Sequence, residues 1–97
     1  MRYEMLKEQE VFWKELKEIQ KCVVDTSLLK LTQYGDNTEM LLNDVTYETI
    51  YKIMELFDGF KNKSLRYEIV NKGNGISINQ NTELHNCCEE HLNCSDM

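Results

Sequence analysis

The first pattern along the chain is a helical one, between residues 3 and about 24. Apolar side chains recur there every three or four positions, at Phe12, Leu16, Ile19 and Val23, with Leu6 and Trp13 at the edges of the stripe. This spacing places them on one side of a helix of roughly five to six turns. Asp25, Thr26 and Ser27 follow, and residues of these types favour turns and caps. The pattern therefore predicts an N-terminal helix over residues 1–24.

Two short runs, residues 27–33 and 38–43, surround a turn-forming segment. The segment contains Gly35, Asp36 and Asn37, three residue types that accept left-handed backbone conformations. We therefore expect a β-hairpin here. Period-two alternation would bury one of its faces, formed by Leu29, Leu31, Met40 and Leu42.

A second helix is expected over residues 47 to about 57. Thr46 has the side chain of an N-cap, and Gly59 is suited to a left-handed C-terminal cap. Between them the apolar side chains repeat with helical spacing, at Ile50, Ile53, Met54 and Phe57. Tyr47 and Tyr51 lie beside this stripe. We expect their rings to pack at its edge with the hydroxyl groups in water, the alternative being a ligand-binding role.

A second hairpin is predicted by residues 65–70 and 76–78. The segment between them, Asn-Lys-Gly-Asn-Gly, is a strong turn signal. Asn81 or Thr82 then caps a last helix. Its core-facing positions would be Leu84, Cys87, Cys88 and Leu92. Residues 93–97 are expected to fray, as chain ends commonly do.

Together these elements predict a single small α+β domain. Their order is α-ββ-α-ββ-α, with an antiparallel sheet of hairpins packed against the helices. The domain divides into a helix (1–24), two hairpin-plus-helix units (26–60 and 61–92) and a frayed tail (93–97). The two units share turn and cap residues at an offset of 36 to 37 positions, which fits either an internal repeat or chance similarity of local signals.

Composition describes a small acidic protein. The 97 residues include 11 Lys or Arg and 17 Asp or Glu, for a formal net charge of -6. A compact protein of this mass exposes about 5,800 Å². The charge is uneven, because segments 26–60 and 76–97 are acidic and segment 61–75 is basic. The basic residues of that segment are Lys61, Lys63, Arg66 and Lys72.

These charges and the hydropathy pattern bear on localisation and partners. No run approaches the ~18 apolar residues that span a bilayer, and the charged N-terminus leaves no room for a secretory signal. We therefore expect a cytoplasmic protein with no membrane partner. Nucleic acid is not an expected partner either, since phosphate binding normally needs a basic face and this chain would be repelled overall.

Four cysteines are present, and their spacing does not suggest a disulfide framework. Three of them, with both histidines, lie within residues 85–94. The candidate metal ligands are Cys87, Cys88, His91 and Cys94, with Cys22 as the missing ligand from another element. Because no Cys-x-x-Cys knuckle is present, a zinc site is the weaker interpretation. The stronger one places Cys87 and Cys88 in the core, His85 and His91 at the surface, and no cofactor.

The same cluster raises the question of a Cys88–His91 nucleophile. Such a dyad also needs an orienting group, an oxyanion site and a cleft, and the sequence shows no pattern for them. We therefore expect no catalytic residues and no enzyme activity.

The resulting hypothesis is a non-enzymatic protein-binding module of the inhibitor, immunity or adaptor type. Its acidic segments would suit a basic protein partner. The first alternative is a metal- or redox-linked module that uses the Cys/His cluster. The second is a self-associating homo-oligomer in which Trp13, Tyr47 or Tyr51 anchors the interface.

Overall fold

The computed structural model of the protein describes residues 2–60 and 64–94. It shows one small domain that is 65% helical and contains a two-stranded antiparallel sheet. The elements in chain order are α1 (Arg2–Leu29), α2 (Leu31–Tyr34), α3 (Thr38–Phe57), β1 (Val70–Asn71), β2 (Ile76–Ser77), a 3-10 helix (Leu84–Cys87) and α4 (Cys88–His91). Within these described residues, no helix is both long enough and apolar enough to cross a membrane.

The two long helices, α1 and α3, form an antiparallel helical hairpin. Phe12 stacks on Phe57 near one end, with ring centroids 6.2 Å apart, while Thr26 and Asp44 line a common pocket near the other. The predicted N-terminal helix is confirmed, but it continues through Asp25, Thr26 and Ser27. These residue types disfavour a helix by only a few tenths of a kcal/mol each, which packing against α3 readily offsets.

The predicted first hairpin is wrong, because residues 27–43 are largely helical. A tight turn does lie at Gly35 (φ 56°), but it joins α2 to α3. Leucine is a better helix former than strand former, so this run continues as helix on both sides of the turn. The expected buried face is also wrong: Leu29 is 84% exposed, and the other three residues assigned to it, Leu31, Met40 and Leu42, are exposed as well.

Thr46 is not the N-cap of the second helix. That helix, α3, begins eight residues earlier, and Asn37 caps it by accepting a hydrogen bond from the Met40 backbone N–H at 3.0 Å. Thr46 instead lies inside α3. The C-terminal prediction is confirmed: Gly59 has φ 75°, and its backbone N–H donates to Leu56 O at 3.1 Å. This is the hydrogen-bonding pattern of a Schellman cap.

The second predicted hairpin is confirmed in a shorter form. Val70 pairs with Ser77 and Asn71 with Ile76. The chain before β1 is held by a side chain: the buried Asn79 accepts from Ile69 N and donates to Tyr67 O, both at 2.8 Å. One amide thus replaces a pair of ladder hydrogen bonds, which explains why the strands themselves are short.

The last predicted helix is shorter than expected and is not capped by Asn81 or Thr82. Residues 84–91 form the 3-10 helix followed by α4, and the carboxylate of Asp58 accepts the first two backbone N–H groups of that segment. The predicted order α-ββ-α-ββ-α is therefore not confirmed, and of the two interpretations of the shared turn and cap residues, chance similarity fits better, because residues 27–43 form no hairpin. Lys61, Lys63 and the end of the predicted frayed tail lie outside the described residues.

The core lies between the two long helices and is small. Its buried cluster comprises Ile19, Val23 and Leu56, and the half-buried side chains packed on it are Phe12, Leu16, Val45, Ile53, Phe57 and Tyr67. The chain exposes 7769 Å², where a compact protein of its mass exposes about 5,800 Å². Its radius of gyration is 15.8 Å, against about 12.5 Å for a compact domain of this length. Much apolar surface therefore remains exposed.

Candidate protein-interaction surface

The five candidate metal ligands occupy different environments. Cys22 and His91 are exposed, Cys87 and Cys94 are half-buried, and Cys88 is buried. Cys22 lies on α1, in a groove with Lys52, Glu55 and Phe60. Among the residues that the structure describes, no three His, Cys, Asp or Glu side chains form a group that could hold a metal ion.

Cys88 has the environment of a core side chain. Its Sγ lies 4.0 Å from Leu84 O, within its own segment. Burial raises the pKa of the Cys88 thiol, and the neighbouring Cys87, Asp58 and Glu55 act in the same direction. A nucleophilic cysteine needs the opposite shift, toward the thiolate. The dyad considered with His91 also pairs a buried thiol with an exposed imidazole.

His85 is buried, contrary to the expectation that it lies at the surface. Its Nδ1 is 2.7 Å from Asp58 Oδ2, and the two side chains are 6% and 2% exposed. Because a carboxylate only accepts hydrogen bonds, Nδ1 carries the proton. The ring of Phe60 contacts the imidazole at 4.9 Å between centroids, and that of Tyr51 at 5.6 Å. These contacts hold the C-terminal segment, residues 84–91, against the end of α3.

Tyr47 and Tyr51 are half-buried and stack on one another, with ring centroids 6.1 Å apart. Burial raises the pKa of both hydroxyl groups, and nearby acidic groups, among them Glu89, raise them further. The C-terminal segment covers part of this pair, since Tyr51 contacts the His85 ring. The two tyrosines are therefore largely part of the domain's own packing.

Exposed apolar side chains occur in several places, among them Leu29, Phe60 and Ile76, and one group of them lies on one side of the α1–α3 hairpin. A groove of about 350 Å³ runs between the helices there, with Leu16, Thr49 and Ile53 among its lining residues. Trp13 and Gln20 line its α1 edge. Along this edge Val24 lies one helical turn beyond Gln20. Along α3, Thr46 lies one turn before Thr49, Ile50 one turn after Thr46, and Leu42 one turn before Thr46.

We call this surface the apolar face. It consists of Trp13, Gln20 and Val24 on α1 with Leu42, Thr46 and Ile50 on α3, and all six residues are exposed. The four large apolar members are 64% (Trp13), 49% (Val24), 56% (Leu42) and 37% (Ile50) exposed. None of the six is charged, although 29% of the whole chain is. One charged residue, the exposed Lys17, lies on the same line of α1 between Trp13 and Gln20 and also lines the groove.

The hydroxyl groups of this side of α3 are already hydrogen-bonded. Thr46 Oγ1 donates to Leu42 O at 2.8 Å, and Thr49 Oγ1 donates to Val45 O at 2.8 Å. Both bonds lie within the helix, so the threonines do not depend on water for their donors. Removing water from this surface therefore leaves no threonine donor unsatisfied, which lowers the cost of covering it.

The opposite side of the hairpin has a different character. A groove of about 360 Å³ lies there, lined by Cys22, Lys52, Glu55 and Phe60 together with Ile19. Lys52 also approaches Glu48, with Nζ and Oε2 3.9 Å apart. Charged groups at this groove would have to be desolvated by a partner, so the apolar face is the better candidate for an interface.

Sequence reasoning singled out Trp13 but placed Leu42 in a strand and Ile50 in the core. The signal that was missed is a run of uncharged positions at helical spacing through residues 42, 46, 49, 50 and 53. It becomes visible only once residues 38–57 are taken as one helix. No family model matches this sequence, and no significant match was found among curated proteins or solved structures.

Proposed function

We propose that this protein is a non-enzymatic protein-binding module and that the apolar face is its binding surface. The observation that carries the proposal is the exposure of four large apolar side chains on one two-helix surface that contains no acidic residue among its six members. Soluble monomers rarely leave large contiguous apolar patches in water, and such patches commonly mark interaction sites.

The energetic argument starts from the size of these side chains. Complete burial of a side chain such as valine, leucine or isoleucine contributes roughly 1.5–3 kcal/mol. Trp13 adds a large aromatic ring, the residue type most often found as an interface anchor. Since each of the four is between about a third and two thirds exposed, a substantial part of this stabilisation is realised only when a partner covers the face.

Site-specific cross-linking tests the proposal. A photoreactive benzophenone side chain is placed at Thr46, in the centre of the apolar face, and in a control chain at Lys72, which is exposed in the turn between β1 and β2. After irradiation in an extract of the native host, cross-linked proteins are identified by mass spectrometry. Each is then purified, and its affinity for the wild-type chain is measured by calorimetry.

We expect a specific product from position 46 and none from position 72, whether the product contains another protein or a second copy of this chain. We also expect Ile50→Glu to weaken the calorimetric affinity at least about 100-fold, because it would bury a charge without a partner. Equal products from the two positions, or none from position 46, would overturn the proposal.

The metal- or redox-linked alternative has less support. The raised pKa of Cys88 keeps that group as a thiol, whereas metal binding and thiol exchange use the thiolate. Elemental analysis of protein purified without a histidine tag tests it directly. Stoichiometric zinc, together with a melting temperature that falls on adding a chelator, would favour this alternative over protein binding alone.

A further inference from the structure

We infer that the turn between β1 and β2 carries a site of spontaneous covalent modification, at Asn74 followed by Gly75. The Gly75 backbone nitrogen attacks the side-chain Cγ of Asn74, a C–N bond forms, and the side-chain nitrogen leaves as ammonia with the Gly75 proton. Water then opens the resulting succinimide ring to aspartate or to isoaspartate. This inference is independent of the apolar face and of the proposed binding function, because it depends on the turn alone.

Asn74 is singled out by the residue that follows it. Of the nine asparagines in the chain, it is the one that precedes a glycine. A side chain on the following residue would crowd the attacking nitrogen and restrict rotation of the peptide. Glycine has no Cβ and removes that obstacle. Asparagine itself is one of the thermolabile residue types, so this pair is where the chemistry is expected first.

The structure places the reacting groups side by side. Asn74 and Gly75 are both exposed in the turn. Asn74 Oδ1 accepts a hydrogen bond from the Ile76 backbone N–H at 3.0 Å, which makes an Asx turn. This bond bends the side chain forward over the Gly75 peptide. It also draws electron density from the side-chain carbonyl, so that Cγ is a better electrophile.

One hydrogen bond holds the nucleophile back. The Gly75 N–H donates to Asn71 O at 2.7 Å, and this bond must open before the nitrogen attacks. Opening costs little here, because the ladder below the turn has only two residue pairs, Val70 with Ser77 and Asn71 with Ile76. Exposed segments with so few contacts lie at the low end of local stability. The fold therefore slows the reaction without preventing it.

The same turn contains a matched control. Asn71 Oδ1 accepts the Gly73 N–H at 2.8 Å, so its side chain has the same local hydrogen-bonding pattern as that of Asn74. Asn71 is exposed as well, but Lys72 follows it. The two asparagines thus share exposure and side-chain geometry and differ in the residue that supplies the attacking nitrogen.

A second pair of the same kind is closed by the fold. Asp58 precedes Gly59, and an aspartate can form the same succinimide with loss of water. Asp58 is only 8% exposed, however, and its oxygens accept hydrogen bonds from the C-terminal segment. The Gly59 N–H donates to Leu56 O at 3.1 Å. We therefore expect Asp58 to react only in the unfolded chain.

The products change both the charge and the backbone of the turn. Aspartate adds one negative charge, and isoaspartate also inserts a methylene group into the main chain. An extra backbone atom disturbs the register of the short strands on either side, since pairing depends on the turn that joins them. In the isoaspartate form, hydrogen exchange should therefore become faster at the Ile78 N–H, which donates to Ile69 O at 2.9 Å.

Peptide mapping by mass spectrometry tests the inference on the whole chain, after incubation for several weeks at neutral pH and physiological temperature. Deamidation at Asn74 should be at least about 10-fold faster than at Asn71. Isoaspartate is detected independently with an isoaspartyl methyltransferase and labelled S-adenosylmethionine. In urea, reaction at Asn74 should become faster, and Asp58 should begin to isomerise.

Two variants separate the role of the following residue from that of the turn. Gly75→Ala should slow the reaction at Asn74 at least about 10-fold. A Cβ at position 75 meets nothing within 4 Å, so this change disturbs the turn only through its backbone conformation. Lys72→Gly, at an exposed position, should raise the rate at Asn71 toward that at Asn74.

Equal rates at Asn74 and Asn71 in the wild type overturn the inference, and so does an Asn74 that gains no mass. A Gly75→Ala chain that reacts as fast as the wild type overturns it too, as does a Lys72→Gly chain in which Asn71 stays unreactive. Isomerisation of Asp58 in the folded chain at the rate of Asn74 would contradict the protection that the fold is inferred to give.

Discussion

The carboxylate of Asp58 and the imidazole of His85 lie 2.7 Å apart, although 27 positions separate them in the sequence. Asp58 follows the last residue of α3, and its two oxygens also accept the backbone N–H groups of Leu84 and His85, each at 2.9 Å. A single buried side chain therefore positions the start of the C-terminal segment. Because the two His85 donors are buried with it and the Leu84 N–H is partly buried, these groups have no equivalent access to water.

Replacing Asp58 should accordingly detach or loosen this segment. We expect Asp58→Asn to lower the free energy of unfolding by about 3 kcal/mol, since an amide has only one acceptor oxygen for three donors. Urea denaturation measures the change, and hydrogen exchange at the Leu84 and His85 amides should become faster. The matched control is Asp25→Asn, at an exposed pair with Lys21, where a change within about 0.5 kcal/mol is expected. Equal effects of the two substitutions would contradict the assigned role of Asp58.

Gly59 combines a positive φ with a close approach by another part of the chain. A Cβ atom added there would lie 3.2 Å from Cβ of Arg66, whereas one added at Gly35, which also has a positive φ, would meet nothing within 4 Å. Gly35 has φ 56° and ψ -122°, outside the left-handed helical region, so Gly35→Ala should cost about 1–3 kcal/mol through backbone strain alone. We expect Gly59→Ala to cost about 1 kcal/mol through its positive φ and about 1 kcal/mol more through the contact with Arg66. Thermal unfolding measures both losses, and a loss of about 1 kcal/mol or less at Gly59 would contradict the packing described.

Two tyrosine hydroxyls offer a contrast in hydrogen bonding. Within the described parts of the chain the Tyr67 hydroxyl is buried without a hydrogen-bond partner, while the Tyr34 hydroxyl donates to Asp44 Oδ2 at 2.6 Å. Tyr67→Phe should leave stability unchanged or raise it by up to about 1 kcal/mol, because the ring packing is kept and a buried polar atom is removed. Tyr34→Phe should lower stability by about 1–2 kcal/mol. Chemical denaturation distinguishes them, and a destabilising Tyr67→Phe would show that this hydroxyl has a partner.

Stability should decline at alkaline pH. Burial raises the pKa of the Cys88 thiol and of the hydroxyl groups of Tyr67, Tyr47 and Tyr51. Ordinary values are about 8.5 for a thiol and about 10 for a phenol. The folded state therefore holds these protons more tightly than the unfolded state. The stability that this provides is fully present below the pKa values of the unfolded state. It is lost as the pH rises through the higher pKa values of the folded state.

Urea midpoints measured between about pH 7 and pH 11 follow this decline. In Cys88→Ala the urea midpoint should begin to fall at a higher pH than in the wild type, because of these groups only the tyrosine hydroxyls then contribute. The control is Cys22→Ala, whose thiol is exposed on α1, and its profile should match that of the wild type. A wild-type midpoint that is constant or rises over this range would contradict the burial of these groups.

Local signals in the sequence predicted the elements that depend on local interactions. The stripe from Phe12 to Val23 predicted α1, because helical spacing alone brings those side chains to one side. Gly59 predicted the end of α3, and residues 71–75 predicted the turn between β1 and β2. These features depend on backbone conformations that few residue types favour, so a short stretch of sequence is enough to identify them.

The run from Leu28 to Leu42 shows where local reasoning was insufficient. Leucine at alternate positions suits a strand, but the same residues also propagate a helix once α1 has formed, and the helix prevailed. The error then hid the apolar face, because Leu42 and Thr46 were assigned to different elements. Only a continuous α3 places both on one line with Ile50.

The sequence by itself thus determined two amphipathic helices, one hairpin turn and the acidic charge of the chain, since each follows from neighbouring residues or from composition. The tertiary structure alone decided that Asp58 meets His85 and that Trp13 and Ile50 lie on one side of the helical hairpin. Both relationships depend on how separate elements pack. Packing is determined by the combined shape and burial of many distant side chains, which no local pattern records.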